Sequence, residues 1–325
     1  MCTSIALTTK DTYTGRNLDL EYAFGEKVVI TPRQFPLQFH KMPTLETHQA
    51  IIGMASVAEG YPLYAEGVNE SGVYMAGLNF PGNAYYPPEG GTGEALAPYE
   101  LIPWLLGTCK TAAEAAEQMQ RIPLLGVPFG PNMPLAPLHW HIADRQGAFV
   151  AEPMTDGVKV YPDPVGVLTN NPPFPFHRTN LTQYRGLSAA QPENTLDPAL
   201  ELPPFGQGMG AIGLPGDWSP ASRYVRTAFC KRNCVCENSE ESSVSQFFHL
   251  LDTVAMPRGA VRTPEGNCDI TRYSCCINTA TGTYYYKTYD NCAITAVALT
   301  EERRAGDRLL EFPLDTKLRI TFQEG

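Results

Sequence analysis

Residues 2–24 read CTSIALTTKDTYTGRNLDLEYAF, and this stretch decides the fold. SIALTT, a short polar break and GRNLDLEY spell a strand, a tight turn and a second strand. The same style continues outward in VVITP, AIIGMAS and YAEGVNESGVYMAGLNF, the last with a hairpin turn at Asn69-Glu70-Ser71-Gly72 between apolar runs. NAYYPPEGGTGEALAP is a loop. PYELIPWLLGTC is helical with an interruption near Pro103. Thr111 to Glu114 forms a capping box that opens the helix AAEAAEQMQRI. LLGVPFGPNMPLAPL is a Pro-rich ordered surface loop. HWHIADRQGAFVAEP is a hairpin turning at Asp144–Gly147, and KVYPDPVGVLTNNP is strand, turn, strand.

Residues 175–220 are polar and rich in Pro and Gly. SRYVRTAFCKRN is helical, and so is SVSQFFHLLDTV, which starts after the polar run ENSEESS. RYSCCINTA, TYYYKTY, CAITAVAL and KLRITFQ close the chain as strands. Strands at both ends with helices between them give an α+β class, antiparallel sheets covered by helices. No stretch reads as a linker or a repeat, so 1–325 is taken as one domain whose terminal strand sets share a sheet.

Composition narrows the function classes. The 29 prolines and 28 glycines, about 18% of the chain against about 12% on average, favour short strands and many turns. A net charge of -10 argues against nucleic acid and anionic membranes, whose phosphates require clustered Lys and Arg. No segment reaches the ~18 apolar residues of a membrane span. The opening MCTSIALTTKDTYTGR lacks a basic region followed by a long apolar one, so the expectation is a cytoplasmic protein without a signal peptide. Nine cysteines, an odd number, do not suggest a disulfide scaffold. Cys230, Cys234 and Cys236 match no common zinc spacing and read as reduced cysteines at a helix end and its loop.

Position 2 carries the chemistry. Initiator methionine is trimmed before small side chains, and trimming here leaves one residue with both a thiol and an α-amine. That amine has a pKa of about 8, so part of it is neutral at cellular pH and can serve as the thiol's own base. Arg16 and Asp19 follow in GRNLD. Three residues apart, they face opposite sides of an ideal strand, and a bulge or turn is one way to bring both near Cys2. A carboxylate can orient the amine, and an arginine can lower the thiol pKa or bind an acidic substrate group.

MCTSIAL, GRNLDLEY, EGVNESGVYMAGLNFP, GVLTNNPPF and ASRYVR occur in that order over residues 2 to about 226. Together they resemble the choloylglycine hydrolase family of N-terminal nucleophile hydrolases, which includes bile salt hydrolases and penicillin V acylases. The resemblance implies a four-layer αββα sandwich of two antiparallel sheets flanked by helices. It implies Cys2 as nucleophile, with Arg16 and Asp19 around its thiol and amine. Asn79 would give a backbone N–H to the oxyanion hole, Asn171 a side-chain donor, and Arg223 the remaining charge. Asn170 is a rival for Asn171, which motif position favours. The implied reaction is hydrolysis of a linear amide through a thioester, with no metal or cofactor, in a homotetramer.

Asn79 in GLNF is the variant associated with bile salt hydrolases, so a conjugated bile salt is the expected substrate. Leu20, Tyr22, Phe24, Phe129 and Met133 are candidates for an apolar wall against a steroid. A penicillin V acylase, an acyltransferase using the same thioester, and a non-catalytic steroid binder are the alternatives; an intact Cys2 argues against the last. His139 and His141 read as packing, and Tyr284–Tyr286 as sheet surface or interface.

Overall fold

The computed structural model describes residues 1–88, 90 and 93–323. The chain opens with strands β1 (Cys2–Thr8), β2 (Thr12–Leu20), β3 (Lys27–Thr31), β4 (Ile51–Ala58), β5 (Tyr61–Asn69) and β6 (Tyr74–Asn79). Helices α1 (Leu101–Thr108) and α2 (Ala112–Arg121) follow, then β7 (Leu138–Asp144), β8 (Gly147–Met154), β9 (Gly157–Pro162) and the short β10 (Val167–Leu168). Next come α3 (Phe174–Leu181), α4 (Pro220–Asn233) and α5 (Glu240–Asp252). The chain ends with β11 (Val261–Arg262), β12 (Cys268–Asn278), β13 (Thr283–Thr288), β14 (Thr295–Ala298), α6 (Glu301–Arg304) and β15 (Leu310–Pro313).

Among the described residues the strands form two antiparallel sheets. One runs β10-β1-β2-β12-β13-β14 with β11 on β12; the other runs β15-β3-β4-β5-β6-β7-β8-β9. Strands from the two ends of the chain therefore do share a sheet, through the pairing of β2 with β12.

Alternation along β1 and β2 explains the layering. Cys2 and Leu18 point between the sheets, where they join Val28, Ile52, Val68 and Tyr273 in one apolar cluster. Ile5, Leu7 and Tyr13 point the other way, against Val244, Phe247 and Leu251 of α5. On the far side, α1 and α2 lay Leu105, Ala115 and Met119 on Val29, Ile51 and Trp140. Three buried interfaces make four layers, helix, sheet, sheet, helix, as the resemblance implied.

Several local readings hold. The turn after β5 has Gly72 at φ +87, and the Asn69 side chain accepts from the N–H groups of Ser71 and Val73. Asp144 takes the same role in the β7–β8 turn, accepting from Gln146 and Gly147. Thr111 caps α2 by accepting from the Glu114 N–H at 3.1 Å.

Other readings need correction. Pro103 does not interrupt α1: it is the third residue of the helix, where its missing N–H has no intrahelical acceptor to lose. Helix α5 begins inside the polar run, because Ser239 caps it and accepts from Ser242. KLRITFQ forms no strand; the strand lies upstream at Leu310–Pro313, paired with β3. Tyr284 and Tyr286 are buried in the cluster between the sheets, so TYYYKTY is core rather than surface. Of the loop read over 83–98, residues 89, 91 and 92 lie outside the described ones.

Replacing Thr111 with Ala removes the α2 cap. Urea unfolding should show a loss of about 1 kcal/mol, with turnover unchanged because α2 lies on the outer face of the second sheet.

Candidate active site

Cys2 is the first residue of β1 and is buried. Unbroken antiparallel register sets Cys2 opposite Leu18 and Ser4 opposite Arg16, so the Cys2 and Arg16 side chains leave the same face. Arg16 is 1% exposed, donates from Nη1 to the Gly77 carbonyl at 2.5 Å and lies 3.7 Å from a Glu66 carboxylate oxygen. Burial works against its charge, but the adjacent Cys2 thiol, Tyr273 and Glu66 hold it above the ordinary arginine range.

Asp19 lies on the opposite face of β2, and no bulge in β2 brings it round. The irregularity is across the ladder, in β12 between Thr271 and Tyr273, and the Thr271 hydroxyl donates to Asp19 Oδ1 at 2.6 Å. Arg16 thus lies on the face of the sheet that the Cys2 thiol leaves, and Asp19 on the other, where the chain pairs with Met1. Met1 extends β1 by one residue against Asp19. Its ammonium donates to the Asp19 carbonyl at 2.6 Å and to Asp269 Oδ2 at 3.3 Å, and Asp19 N–H donates to the Met1 carbonyl at 2.9 Å. Asp19 Oδ2 and Asp269 Oδ1 are buried without a partner. Burial pushes the Asp19 carboxyl up, with the N-terminal ammonium, Arg223 and Thr271 pulling it back.

Asn170, not Asn171, reaches Cys2. Its Oδ1 accepts from the Cys2 N–H at 2.9 Å and from Arg223 Nη2 at 2.7 Å, and its Nδ2 donates to the Asn79 carbonyl at 2.6 Å. Two donors on Oδ1 fix which end of the amide is which. Asn171 turns away and donates to the Pro81 carbonyl at 2.8 Å. Motif position could not separate the pair, because consecutive side chains leave an extended backbone in opposite directions.

Asn79 ends β6. Phe80 N–H bonds to the Pro137 carbonyl of the neighbouring segment, so alternation turns the Asn79 N–H and carbonyl away from β7. On that side β5 no longer runs alongside, its pairing with β6 ending at Glu66–Ala76. Arg16 takes the Gly77 carbonyl there and Asn170 takes that of Asn79, so the Asn79 N–H faces the same side as these two groups.

Arg223 projects from α4 into the same place, fully buried. It donates to the Cys2 carbonyl, to the Thr3 hydroxyl at 2.6 Å and, through Nε, to the Trp218 carbonyl at 2.9 Å. Burial lowers its pKa, opposed by Asp19, Cys2 and Asp269.

Two acidic residues close to this centre escaped the sequence reading. Glu66 is fully buried and accepts from the hydroxyls of Tyr284 at 2.6 Å and Tyr273 at 2.7 Å. Simple alternation would put Glu66 on the same face as Tyr64, but a register shift opposite Met54 and Ala55 turns them apart, Tyr64 toward the helices and Glu66 between the sheets. Asp269, the second residue of β12, reaches the N-terminus only because β12 pairs with β2. A carboxylate in an otherwise apolar strand is the one signal the sequence offers for Glu66.

Leu20 and Phe24 are half-buried and pack against the cluster that contains Cys2. Tyr22 and Met133 are exposed, 57% and 40%. Phe129 contacts the rings of Tyr99 and Tyr61, with centroids 5.3 and 5.9 Å away. A cavity of about 880 Å³ opens at the other end of β1, beside Thr8 and Lys231, and takes no part in this site. All nine cysteines are free thiols, and among the described residues no three His, Cys, Asp or Glu side chains are arranged to hold a metal. No helix among them is long and apolar enough to cross a membrane.

A cysteine at the head of a strand, inside a sandwich of two antiparallel sheets, defines the N-terminal nucleophile class of hydrolases. The family model for linear amide C–N hydrolases, choloylglycine hydrolase family, matches residues 2–310. A bile salt hydrolase/transferase of Lactiplantibacillus plantarum is 43% identical over 97% of both chains, and one of Clostridium perfringens is 37% identical over 98% of this chain and 99% of its own. The crystal structure of a mutant conjugated bile acid hydrolase from Clostridium perfringens superposes with a TM-score of 0.91 at 36% identity, covering 100% of both chains. A penicillin V acylase from Agrobacterium tumefaciens shares the fold, with a TM-score of 0.76 at 16% identity over 96% of this chain and 91% of its own. The chain belongs to the choloylglycine hydrolase family of linear amide C–N hydrolases.

Glu66 supports this centre from below, and its removal should show in stability. Glu66→Leu leaves the buried Arg16 without its carboxylate and should cost about 3–5 kcal/mol in urea unfolding. Burial raises the Glu66 pKa, against the pull of Arg16 and the two tyrosines. The folded state then binds more protons than the unfolded one above about pH 4.3, so stability falls as pH rises through that window. Glu66→Gln should flatten this fall; an unchanged slope would show that Glu66 does not titrate there.

Proposed function

We propose that this enzyme hydrolyses the amide bond between a bile acid and glycine or taurine, with Cys2 as nucleophile once Met1 is removed. The observation that carries the reading is the convergence on the Cys2 end of β1: Arg16 beside the thiol, and Asn170, Arg223 and Asp19 around the backbone. Relatives bearing the bile salt hydrolase name across almost their whole length supply the substrate class.

In this reading the Cys2 amine accepts the thiol proton and the sulfur attacks the amide carbonyl carbon. The Asn79 N–H and Asn170 Nδ2 receive the negative charge that develops on the carbonyl oxygen. Both are neutral donors, so neither gives up its proton. The ammonium then protonates the leaving nitrogen, the C–N bond breaks, and glycine or taurine departs from a thioester on Cys2. Water attacks the thioester, its proton passes to the amine, and the bile acid leaves as Cys2 regains its thiol. Asp19 orients the amine; Arg16 and Arg223 stabilise the thiolate and fix the strand end. Leu20, Tyr22, Phe24, Phe129 and Met133 line the apolar wall. No cofactor or metal enters any step.

Capture of the thioester by an amine in place of water gives a transferase, a second reading favoured by the transferase named in both relatives. Residues 1–325 act as one domain, since β12 of the last third sits between β2 and β13. Leu196, Phe205 and Ile212 leave large apolar side chains 82%, 89% and 68% exposed, which burial by further copies in a homotetramer would cover. An odd number of cysteines suits a reducing compartment, and we place the enzyme in the cytoplasm.

The deciding assay measures taurine or glycine release from taurocholate and glycocholate beside penicillin V hydrolysis. The conjugated bile salts should have the higher kcat/KM, and Cys2→Ala should abolish release with the fold intact. The reverse substrate order would make the chain an acylase; turnover by the variant would remove Cys2 from the mechanism. In the same assay Asn170→Ala should lower kcat by about 100- to 1000-fold, while Asn171→Ala stays within about threefold. Equal losses would return Asn171 to the site.

A further inference from the structure

The two histidines of HWH, with His177, remain outside the reaction as described. His139 and His141 are both fully buried, and both rings are engaged: His141 faces the Ser4 hydroxyl at 2.8 Å and Asp163 at 3.4 Å. His139 has a different position. Its Nε2 is 3.0 Å from the Thr169 carbonyl, and its Nδ1 is 3.2 Å from Glu152 Oε1, which also accepts from the Phe174 N–H at 2.9 Å. A carbonyl only accepts, so His139 Nε2 carries a proton and donates it. The same ring stacks on Phe80, centroids 4.3 Å apart and planes within 6°.

His177 repeats the arrangement one peptide further on. Its Nε2 donates to the Asn170 carbonyl at 2.8 Å, and its ring stacks on Tyr224 at 5.0 Å. The carbonyls before and after the Asn170 side chain are therefore each held by an imidazole. One imidazole leans on the residue after Asn79, the other on the residue after Arg223. Glu152, His139, His177, Phe80 and Tyr224 are all fully buried, so the set is packed against motion as well as hydrogen-bonded.

We propose that His139 and His177 are positioning residues that lock the Asn170 peptide in register with Asn79 and Arg223. The proposal rests on the reading of Cys2 as nucleophile and Asn170 as an oxyanion donor. The physical need is clear: a donor displaced by about 1 Å from a developing oxyanion loses much of its effect. Neither histidine touches the substrate, so substrate binding is left alone.

The test compares His139→Phe, His139→Gln and His177→Phe with the parent enzyme. The Phe variants keep the ring stacking and lose the donor. Each should lower kcat by about 10- to 100-fold with KM within about threefold. His139→Gln retains a donor for the Thr169 carbonyl and should recover most of that loss. Alkylation of Cys2 by iodoacetamide, which forms no oxyanion, should stay within about twofold of the parent in every variant. Unchanged kcat, a Gln variant no better than the Phe variant, or alkylation falling in step with kcat would each overturn the proposal.

If His139→Phe does not fold, His177→Phe and Glu152→Gln decide by the same criteria. Rates are read on taurocholate and on p-nitrophenyl acetate, an activated ester whose reaction at Cys2 needs no steroid. A parent enzyme active on the ester and inert to taurocholate would sink the bile salt reading, while the ratios on the ester still judge the positioning.

Discussion

A guanidinium shut away from water must satisfy its N–H groups inside the protein, and Arg223 does so on three segments that are remote in sequence. It binds the Cys2 carbonyl and Thr3 hydroxyl on the first strand, the Asn170 amide after β10, and the Trp218 carbonyl just before its own helix. Those bonds are made together only if β1, β10 and the start of α4 meet at one point. The Cys2 end of the sheet is thereby held by a charged group whose loss would leave several buried acceptors unpaired.

Buried charge of this kind requires counter-charge, and the site supplies it on both faces of β2. Arg16 has Glu66 between the sheets, and Glu66 has two tyrosine hydroxyls of its own. Arg223 is countered by Asp19 and Asp269 around the N-terminus. The separation is functional in form. The thiol of Cys2 leaves the strand on the face of Arg16, while its backbone nitrogen donates to Asn170 and the two aspartates meet Met1 just before it. In the proposed reaction one residue acts as both nucleophile and base, with two reactive groups on opposite sides of one Cα. The two faces of one strand hold them in different electrostatic surroundings.

The rigid mount matters as much as the charges. Cys2 is paired on one side by β2, and β1 as a whole is flanked by β2 and β10. Residue 170 follows β10 by two positions, so the strand that borders β1 also delivers Asn170 to the Cys2 nitrogen. Asn79 arrives from the second sheet at a strand end whose neighbour has already stopped. The site thus sits where the two sheets come together and free backbone groups are available.

Much of this was legible in the sequence. Hairpins at Asn69–Gly72 and Asp144–Gly147, the Thr111 cap and the alternation of β1 and β2 are local, set by turn chemistry and by side chains a few residues apart. The motifs around Cys2, Arg16, Asp19, Asn79 and Arg223 could be read for the same reason, since each is short and contiguous. The contact of Asn170 rather than Asn171 with Cys2, the burial of Glu66, the place of Asp269 and the hydrogen bonds of His139 and His177 came only with the tertiary structure. Each depends on which way a side chain leaves a strand and on what another segment brings against it. A bulge or a pairing across more than 200 residues decides that, and neither can be read from the neighbouring residues, beyond the hint of a lone carboxylate in an apolar strand.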